Sequence, residues 1–444
     1  MFFDFIAIAL RPRRIAYCSI VKLLIFNNTT MEQYNIFYFI LGRENKISQK
    51  ELECILASFG FCFSADITIL SDEVLESKLG ASAGEIASIM NILGGTVKIY
   101  QKIASSGAKV VELLKKENIS KKIIFGISNY SKNQVDTFRL ALEAKKTLRI
   151  PLRVVAGKEN ERLSSAQSFQ YKMDRENIEY GLFDTGIGRL IAVQNINDWT
   201  RHDYGKPRSD AKSGMLPPKL ARMMVNIALR SAINPKSKIQ MSRPKADQPM
   251  AEKVKSLDQL EIRNYDDLVV VDPFCGSGNI LIEALTVGCD IVGSDSSEKA
   301  VEDTKANLLW LSGNSELDIS RQDAIKLNFS AIDKDFVVVT EPYLGQPRRA
   351  KLRIEEEKQA KAGATKLYLD FLRNLKLTAN ISKLAAICMV FPLYELANGQ
   401  KLSIFDECVD IISEIGYTLV CPPLEYGRDY QVVKRQIVLL KLSA

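Results

Sequence analysis

The chain has a single histidine, His202, in 444 residues. A Ser-His-Asp triad, a Cys-His pair and a multi-histidine metal site each need an imidazole at a defined place, so these chemistries are largely excluded. No C-x-x-C pair occurs. The eight cysteines (Cys18, Cys54, Cys62, Cys275, Cys289, Cys388, Cys408, Cys421) are scattered, several inside apolar runs such as ICMVF around Cys388. They read as small buried hydrophobes, and neither a disulfide framework nor a metal site is expected. An uncharged apolar run of about eighteen or more residues is also lacking, so no membrane span is expected. Carboxylates, amides, backbone groups or a cofactor must carry the chemistry.

At 444 residues the chain exceeds one ordinary core, and two or three domains are expected. The net charge of +7 favours a polyanionic partner, nucleic acid first. The apolar start MFFDFIAIAL runs straight into RPRR with no small-residue cleavage pattern. That is a poor fit to a signal peptide, and the cytoplasm is the expected location. Met31 opens a cleaner strand-like run, so residues 1–30 read as an extension, either extra translated sequence or a disordered basic arm.

From Tyr34 onward strand and helix patterns alternate. YNIFYFILG is a strand, SQKELECILASFG a helix with Ser48 as N-cap and Gly60 as its stop, ASAGEIASIMNILGG a second helix, and TVKIYQKIA a strand again. This makes a small α+β unit over 31–105. A similar unit spans 106–200, with helices at VVELLKKE, QVDTFRLALEAKKTLR and SSAQSFQYKMDREN and strands at IIFGISNY, PLRVVAG and GRLIAVQNI. Residues 201–258 break the rhythm. RHDYGKPRSDAKSGMLPPKL is rich in Gly, Pro and charge, a helix begins at Pro217 and Pro218, where a first turn accepts proline, and a basic linker follows. Over 259–444 apolar strands such as LVVVDPF, DIVGSD and DFVVVTEP alternate with helices. That pattern predicts an α/β domain with a mostly parallel sheet covered on both faces, and ligands beyond the carboxyl ends of its strands.

The turn from the first strand of that sheet to its first helix reads Asp272-Pro-Phe-Cys-Gly-Ser-Gly-Asn279. Gly276 and Gly278 allow close approach of backbone to a ligand. Asp295 ends the next strand, where a carboxylate can accept both hydroxyls of a ribose. The same layout serves NAD, so the glycines alone decide nothing. Three details favour S-adenosylmethionine over NAD or a purely structural turn. Leu281 stands where G-x-G-x-x-G has its third glycine. Asp272 precedes the glycines, placed for a cationic amino-acid moiety rather than a pyrophosphate. Asp323, after the third strand, can accept from an adenine amino group. The block, with Phe274 and Asn279, resembles motif I of the class I methyltransferases that modify amino groups.

Beyond the fourth strand comes Thr340-Glu341-Pro342-Tyr343-Leu344-Gly345, where the amino-methyltransferases carry D/N-P-P-Y/F/W. An aromatic amine is a poor nucleophile because its lone pair is delocalised. An acidic or amide side chain that accepts its N–H bonds favours the rehybridised nitrogen, and the aromatic residue stacks on the base. Aligning Gly345 with the glycine that often follows the motif puts Glu341 at the acidic position and Tyr343 one residue early. Sliding by one restores the tyrosine but puts Thr340 where the acid belongs. The first register keeps a carboxylate and makes Glu341, Pro342 and Tyr343 the catalytic candidates.

Asp203-Tyr-Gly-Lys-Pro-Arg-Ser-Asp210 and the string GMLPPKLA from Gly214 resemble the segment preceding the catalytic domain in tRNA guanosine N2-methyltransferases acting at position ten. TEPYLG, Tyr430-Gln431 and the final strand KRQIVLLKL are similar to that family's C-terminal pattern. YFILGREN, NILGGTVK, IFGISNY and LSSAQSFQYK resemble its N-terminal ferredoxin-like and THUMP domains. The resemblance implies a Rossmann-like methyltransferase domain over 259–444 with an antiparallel final hairpin strand, a ferredoxin-like domain over 31–105 and a THUMP-like domain over 106–200 that grips tRNA. It implies S-adenosylmethionine as cofactor, a tRNA guanine as substrate and a GMLPPKLA loop that helps close the cofactor pocket. Lys206, Arg208 and Lys212 are candidate phosphate contacts, each equally readable as a solvated charge. Two alternatives stand beside it: an amino-methyltransferase of ribosomal RNA or DNA bases, and an RNA-binding protein whose active site has decayed at Glu341.

Overall fold

The structure is a computed structural model, which describes residues 34–59, 67–117, 119–157, 162–209, 215–232, 268–345, 350–351, 354–428 and 431–443. The extension 1–30, the basic linker after 232, Gly60, Cys18 and Cys62 lie outside the described residues.

Two sheets organise the molecule. The first has eight strands: β1 (Asn35–Leu41), β2 (Ile67–Ser71), β3 (Val74–Leu79), β4 (Thr96–Ala104), β5 (Ile123–Asn129), β6 (Leu152–Val155), β7 (Ile178–Phe183) and β8 (Gly186–Val193), in the order β2-β3-β1-β4-β8-β7-β5-β6. The segments before and after residue 105 therefore share one sheet, joined where β4 pairs antiparallel with β8. The β2–β3 hairpin went unread in the sequence, because the polar residues of TILSDEVLESK mask its alternation, and the short run IEYGLF of β7 was also passed over.

Helix α1 (Asn45–Ser58) covers this sheet, and it corrects one expectation. Its N-cap is Glu44, and Ser48 lies one turn inside, buried, with its hydroxyl 3.7 Å from Met223 Sδ. By contrast, α2 (Ala83–Ser88) begins with a capping box in which Ser82 and Glu85 satisfy each other's backbone N–H groups. The remaining helices of this half are α3 (Val110–Lys115), α4 (Thr137–Leu148), α5 (Ser165–Gln170) and α6 (Ile196–Thr200).

The second sheet contains β9 (Leu268–Asp272), β10 (Asp290–Asp295), β11 (Asp318–Arg321), β12 (Asp335–Thr340), β13 (Leu384–Glu395), β14 (Lys401–Ser403), β15 (Tyr417–Leu419), β16 (Leu424–Tyr426) and β17 (Val433–Leu442). Its main path runs β11-β10-β9-β12-β13-β17-β15. The pairs from β11 through β13 are parallel, whereas β17 runs antiparallel to both β13 and β15. This is the mostly parallel α/β sheet with an antiparallel final hairpin strand that the sequence predicts. Strand order reverses at β9, the place where such sheets open a crevice for ligands. Helices α8 (Asn279–Thr286), α9 (Glu298–Ser312), α10 (Ile354–Thr378) and α11 (Ile404–Ile415) make the crossovers and the outer layers. Among the described residues no helix is long and apolar enough to cross a membrane.

Helix α7 (Pro218–Ala232) lies between the sheets. Leu220, Met224 and Ala228 belong to one apolar core that also contains Phe37, Leu52 and Ile55 of the first half and Val270, Leu281 and Val337 of the second. Its polar residues also bridge. Asn226 Nδ2 donates to Glu51 Oε1 at 2.6 Å and to the Ile92 carbonyl at 2.8 Å. Arg222 donates to Glu283 Oε2 from Nε at 2.8 Å and to the Asn91 carbonyl from Nη1 at 3.2 Å.

Candidate active site

Strand β9 ends at Asp272, which is 1% exposed; its Oδ1 accepts the Thr340 hydroxyl at 2.6 Å and the Phe274 N–H at 3.2 Å. Thr340 closes β12, so the carboxyl sits where β9 and β12 meet at the switch in strand order. Burial outweighs the pull of its two hydrogen bonds and pushes this carboxyl up to about 7.

The loop that follows is open toward solvent at Gly276. That residue has φ of +54°, and a Cβ built on it would meet nothing within 4 Å. Its N–H donates to Asp295 Oδ2 at 3.0 Å, while the Ser297 N–H donates to Oδ1 at 2.9 Å. The absent third glycine also has a structural answer. A Cβ on Gly293 of β10 would lie 2.5 Å from Leu281 Cδ1. Helix and strand still approach closely, with the small residue moved from the helix to the strand. Asp323 follows β11 and accepts the Ile325 N–H at 3.2 Å.

A cavity of about 590 Å³ lies over these strand ends. Asp272, Phe274, Gly276, Asn279, Asp295 and Asp323 line it together with Glu341, Pro342 and Tyr343. Of the cofactor and catalytic candidates named from the sequence, Gly278 is the one left out of the wall; with φ of +82° it is the N-cap residue of α8.

Glu341 lines the cavity, while Thr340 is buried and donates to Asp272. Arg435 of β17 grips the glutamate with two hydrogen bonds, Nε to Oε1 at 2.5 Å and Nη2 to Oε2 at 3.3 Å. The Arg435 and Glu341 side chains are 9% and 15% exposed. Burial raises the Glu341 carboxyl above its ordinary range, and the guanidinium draws it back down. Tyr343 is 58% exposed. Behind it the Leu344 carbonyl accepts the Tyr394 hydroxyl at 2.8 Å.

Residues 206–209 and 215–216 tie the preceding segment to this wall. Asn279 Nδ2 donates to the Leu216 carbonyl at 2.7 Å, the Ser277 hydroxyl lies 3.6 Å from Met215 Sδ, and both Met215 and Leu216 line the cavity. Lys206 is not a surface cation for phosphate: it is 6% exposed and donates to Asn279 Oδ1, and burial lowers its pKa. Arg208 remains 63% exposed, 3.9 Å from Asp303, and Lys212 lies outside the described residues.

Apart from Met215 and Leu216, the residues lining this cavity fall within the segment that comparison recognises. Residues 263–395 match the UPF0020 family, the RMKL-like methyltransferase domain. A stretch of 210 residues is 30% identical to the tRNA (guanine(10)-N2)-dimethyltransferase of Methanothermobacter thermautotrophicus, covering 46% of this chain and 48% of that protein. A stretch of 94 residues is 34% identical to the Type II methyltransferase M.VspI of Vibrio sp. (strain 343), covering 20% of this chain and 23% of that one. The chain thus spans about half the length of the first relative and under a quarter of the second. Among solved structures, TrmN from Thermus thermophilus is similar with a TM-score of 0.47 at 13% identity, covering 92% of this chain and 100% of that one.

Sequence reasoning missed Arg435, the partner of Glu341, whereas Thr340 was weighed for the acidic position and Met215 and Leu216 lie in the GMLPPKLA string already expected beside the pocket. Thr340 was visible as the residue before Glu341. Arg435 was visible only as part of a basic start to the closing strand, because its partner lies 94 residues earlier.

Proposed function

We propose that this chain transfers the methyl group of S-adenosylmethionine to the exocyclic N2 amino group of a guanine in tRNA. One observation carries the reading: a single cavity is lined both by the carboxylate-and-glycine turn and by Glu341-Pro342-Tyr343. Its position in a methyltransferase domain and the 30% identity to a protein named for guanine N2 methylation support it.

The residues fit the donor. Gly276 leaves open the space that any side chain would occupy. Asp272, enclosed and lifted to about 7, suits a cationic ammonium that would offset its desolvation. Asp295, with one N–H on each oxygen, keeps lone pairs for ribose hydroxyls, and Asp323, which lines the same cavity, is assigned to the adenine amino group. Bound there, S-adenosylmethionine supplies a methyl group on a sulfonium, a good leaving group. The chain's own work is then positioning. Glu341 accepts an N–H of the base amine, the exposed ring of Tyr343 offers a stacking face, and the base must leave its helix at a cost of a few kcal/mol. The first sheet, with its ferredoxin-like and THUMP-like resemblance, is assigned to tRNA binding, and a cytoplasmic location belongs to the same reading.

Incubation with labelled S-adenosylmethionine and unmodified tRNA, followed by nucleoside mass spectrometry, should give N2-methylated guanosine. Label in DNA or ribosomal RNA alone would move the substrate. Retained tRNA binding without incorporation would make the chain a binding protein.

A further inference from the structure

Glu341 is one carbon longer than the aspartate or asparagine expected at its place, and its carboxylate is not held by the strand it follows. It is held from across the sheet. Arg435 enters from β17, antiparallel to β13, and takes both oxygens in a fork, Nε to Oε1 at 2.5 Å and Nη2 to Oε2 at 3.3 Å. We propose that Arg435 is a positioning residue that clamps the Glu341 carboxylate as a fixed hydrogen-bond acceptor facing the base-binding end of the cavity. This rests on the reading above, in which Glu341 meets the reacting amine.

The physical case has three parts. A guanidinium fork fixes both the plane of a carboxylate and the direction of its remaining lone pairs, one on each oxygen. A longer side chain has an extra torsion, so without the fork the acceptor would lose its fixed place. Furthermore, a carboxylate whose converging lone pairs are taken by the fork keeps an outward lone pair on each oxygen, and one of these can accept a single N–H of the base amine. The other ionisable groups acting on Glu341 do not replace Arg435: Asp272 from β9 is acidic and Tyr368 from α10 is neutral. Tyr426 from β16 acts on Arg435 itself.

The test is a carboxyl titration by carbon-13 NMR of protein labelled at the glutamate side-chain carboxyl, with the Glu341 signal assigned as the one missing in E341Q. It is run on wild type, R435K and R435M, alongside the pH profile of methyl transfer to tRNA. Wild-type Glu341 should titrate lowest, R435M at least about one pH unit higher and R435K between them, because removing the counter-charge disfavours the anion. The acid limb of kcat should move by the same amount, with KM for the donor changed less than about twofold. Should R435M fail to fold, R435K decides. Identical titration in wild type and R435K, with unchanged kcat, would overturn the clamp. A shifted titration with no methyl transfer by wild type would keep the clamp and remove the functional reading. Transfer by wild type with an unshifted carboxyl would do the reverse.

Discussion

At the scale of single residues, the carboxyl of Asp272 is enclosed by Thr340 and the Phe274 N–H, and burial lifts it from 3.8 to about 7. Between those two values the folded protein holds a proton that the unfolded chain has released. Its contribution to stability is therefore complete below about pH 4 and is lost as pH rises through 7. A cationic ligand inverts the preference, since it favours the anion. Binding of S-adenosylhomocysteine, which keeps the ammonium, should release a fraction of a proton near pH 6.5. Calorimetry in buffers of different ionisation enthalpy reads this directly. D272N should bind at least about tenfold more weakly, as expected for loss of a charge-assisted contact, and should release none. A wild-type heat independent of buffer would remove Asp272 from the ammonium site. Residues of this kind were legible because a carboxylate at the end of a buried strand is costly and marks a site. Arg435 was not legible, since nothing in a linear pattern reports a partner across the sheet.

At the scale of elements, α7 joins the halves through one face of packed apolar residues and through Arg222 and Asn226, one turn apart. Glu283 on α8 is fully buried between Arg222 and His202, with His202 Nδ1 at 2.7 Å. Glu51 on α1 accepts the Gly94 and Gly95 N–H groups at 2.8 Å each and the Asn226 amide, while burial pushes it up to about 7. R222M removes one cation from a buried carboxylate, a change that costs roughly 3–5 kcal/mol in comparable pairs. Denaturant unfolding should show that loss, and R222M/E283Q should recover part of it. Equal stability of wild type and R222M would mean that His202 alone satisfies Glu283. The start of α7 at Pro218 was readable from proline chemistry. The start of α1 was misread, because Ser48 has the composition of a cap but packs against Met223 in the interdomain core.

At the scale of the whole molecule, the mostly parallel second sheet was legible because parallel strands buried on both faces read as continuous apolar runs between helices. The first half was less so. Its two runs of alternating elements looked separable, yet β4 and β8 bring them into one sheet, through a pairing of residues about 90 positions apart that strand propensity does not encode. The shared core through α7 then places this sheet in direct continuity with the domain that holds the cavity.

The most direct measurement of the central claim is a crystal structure with S-adenosylhomocysteine bound. The ligand should fill the cavity over β9, β10 and β12, with its ribose hydroxyls on Asp295, its ammonium near Asp272 and its sulfur directed toward Glu341. A ligand bound elsewhere, or a cavity left empty under saturating ligand, would contradict the assignment.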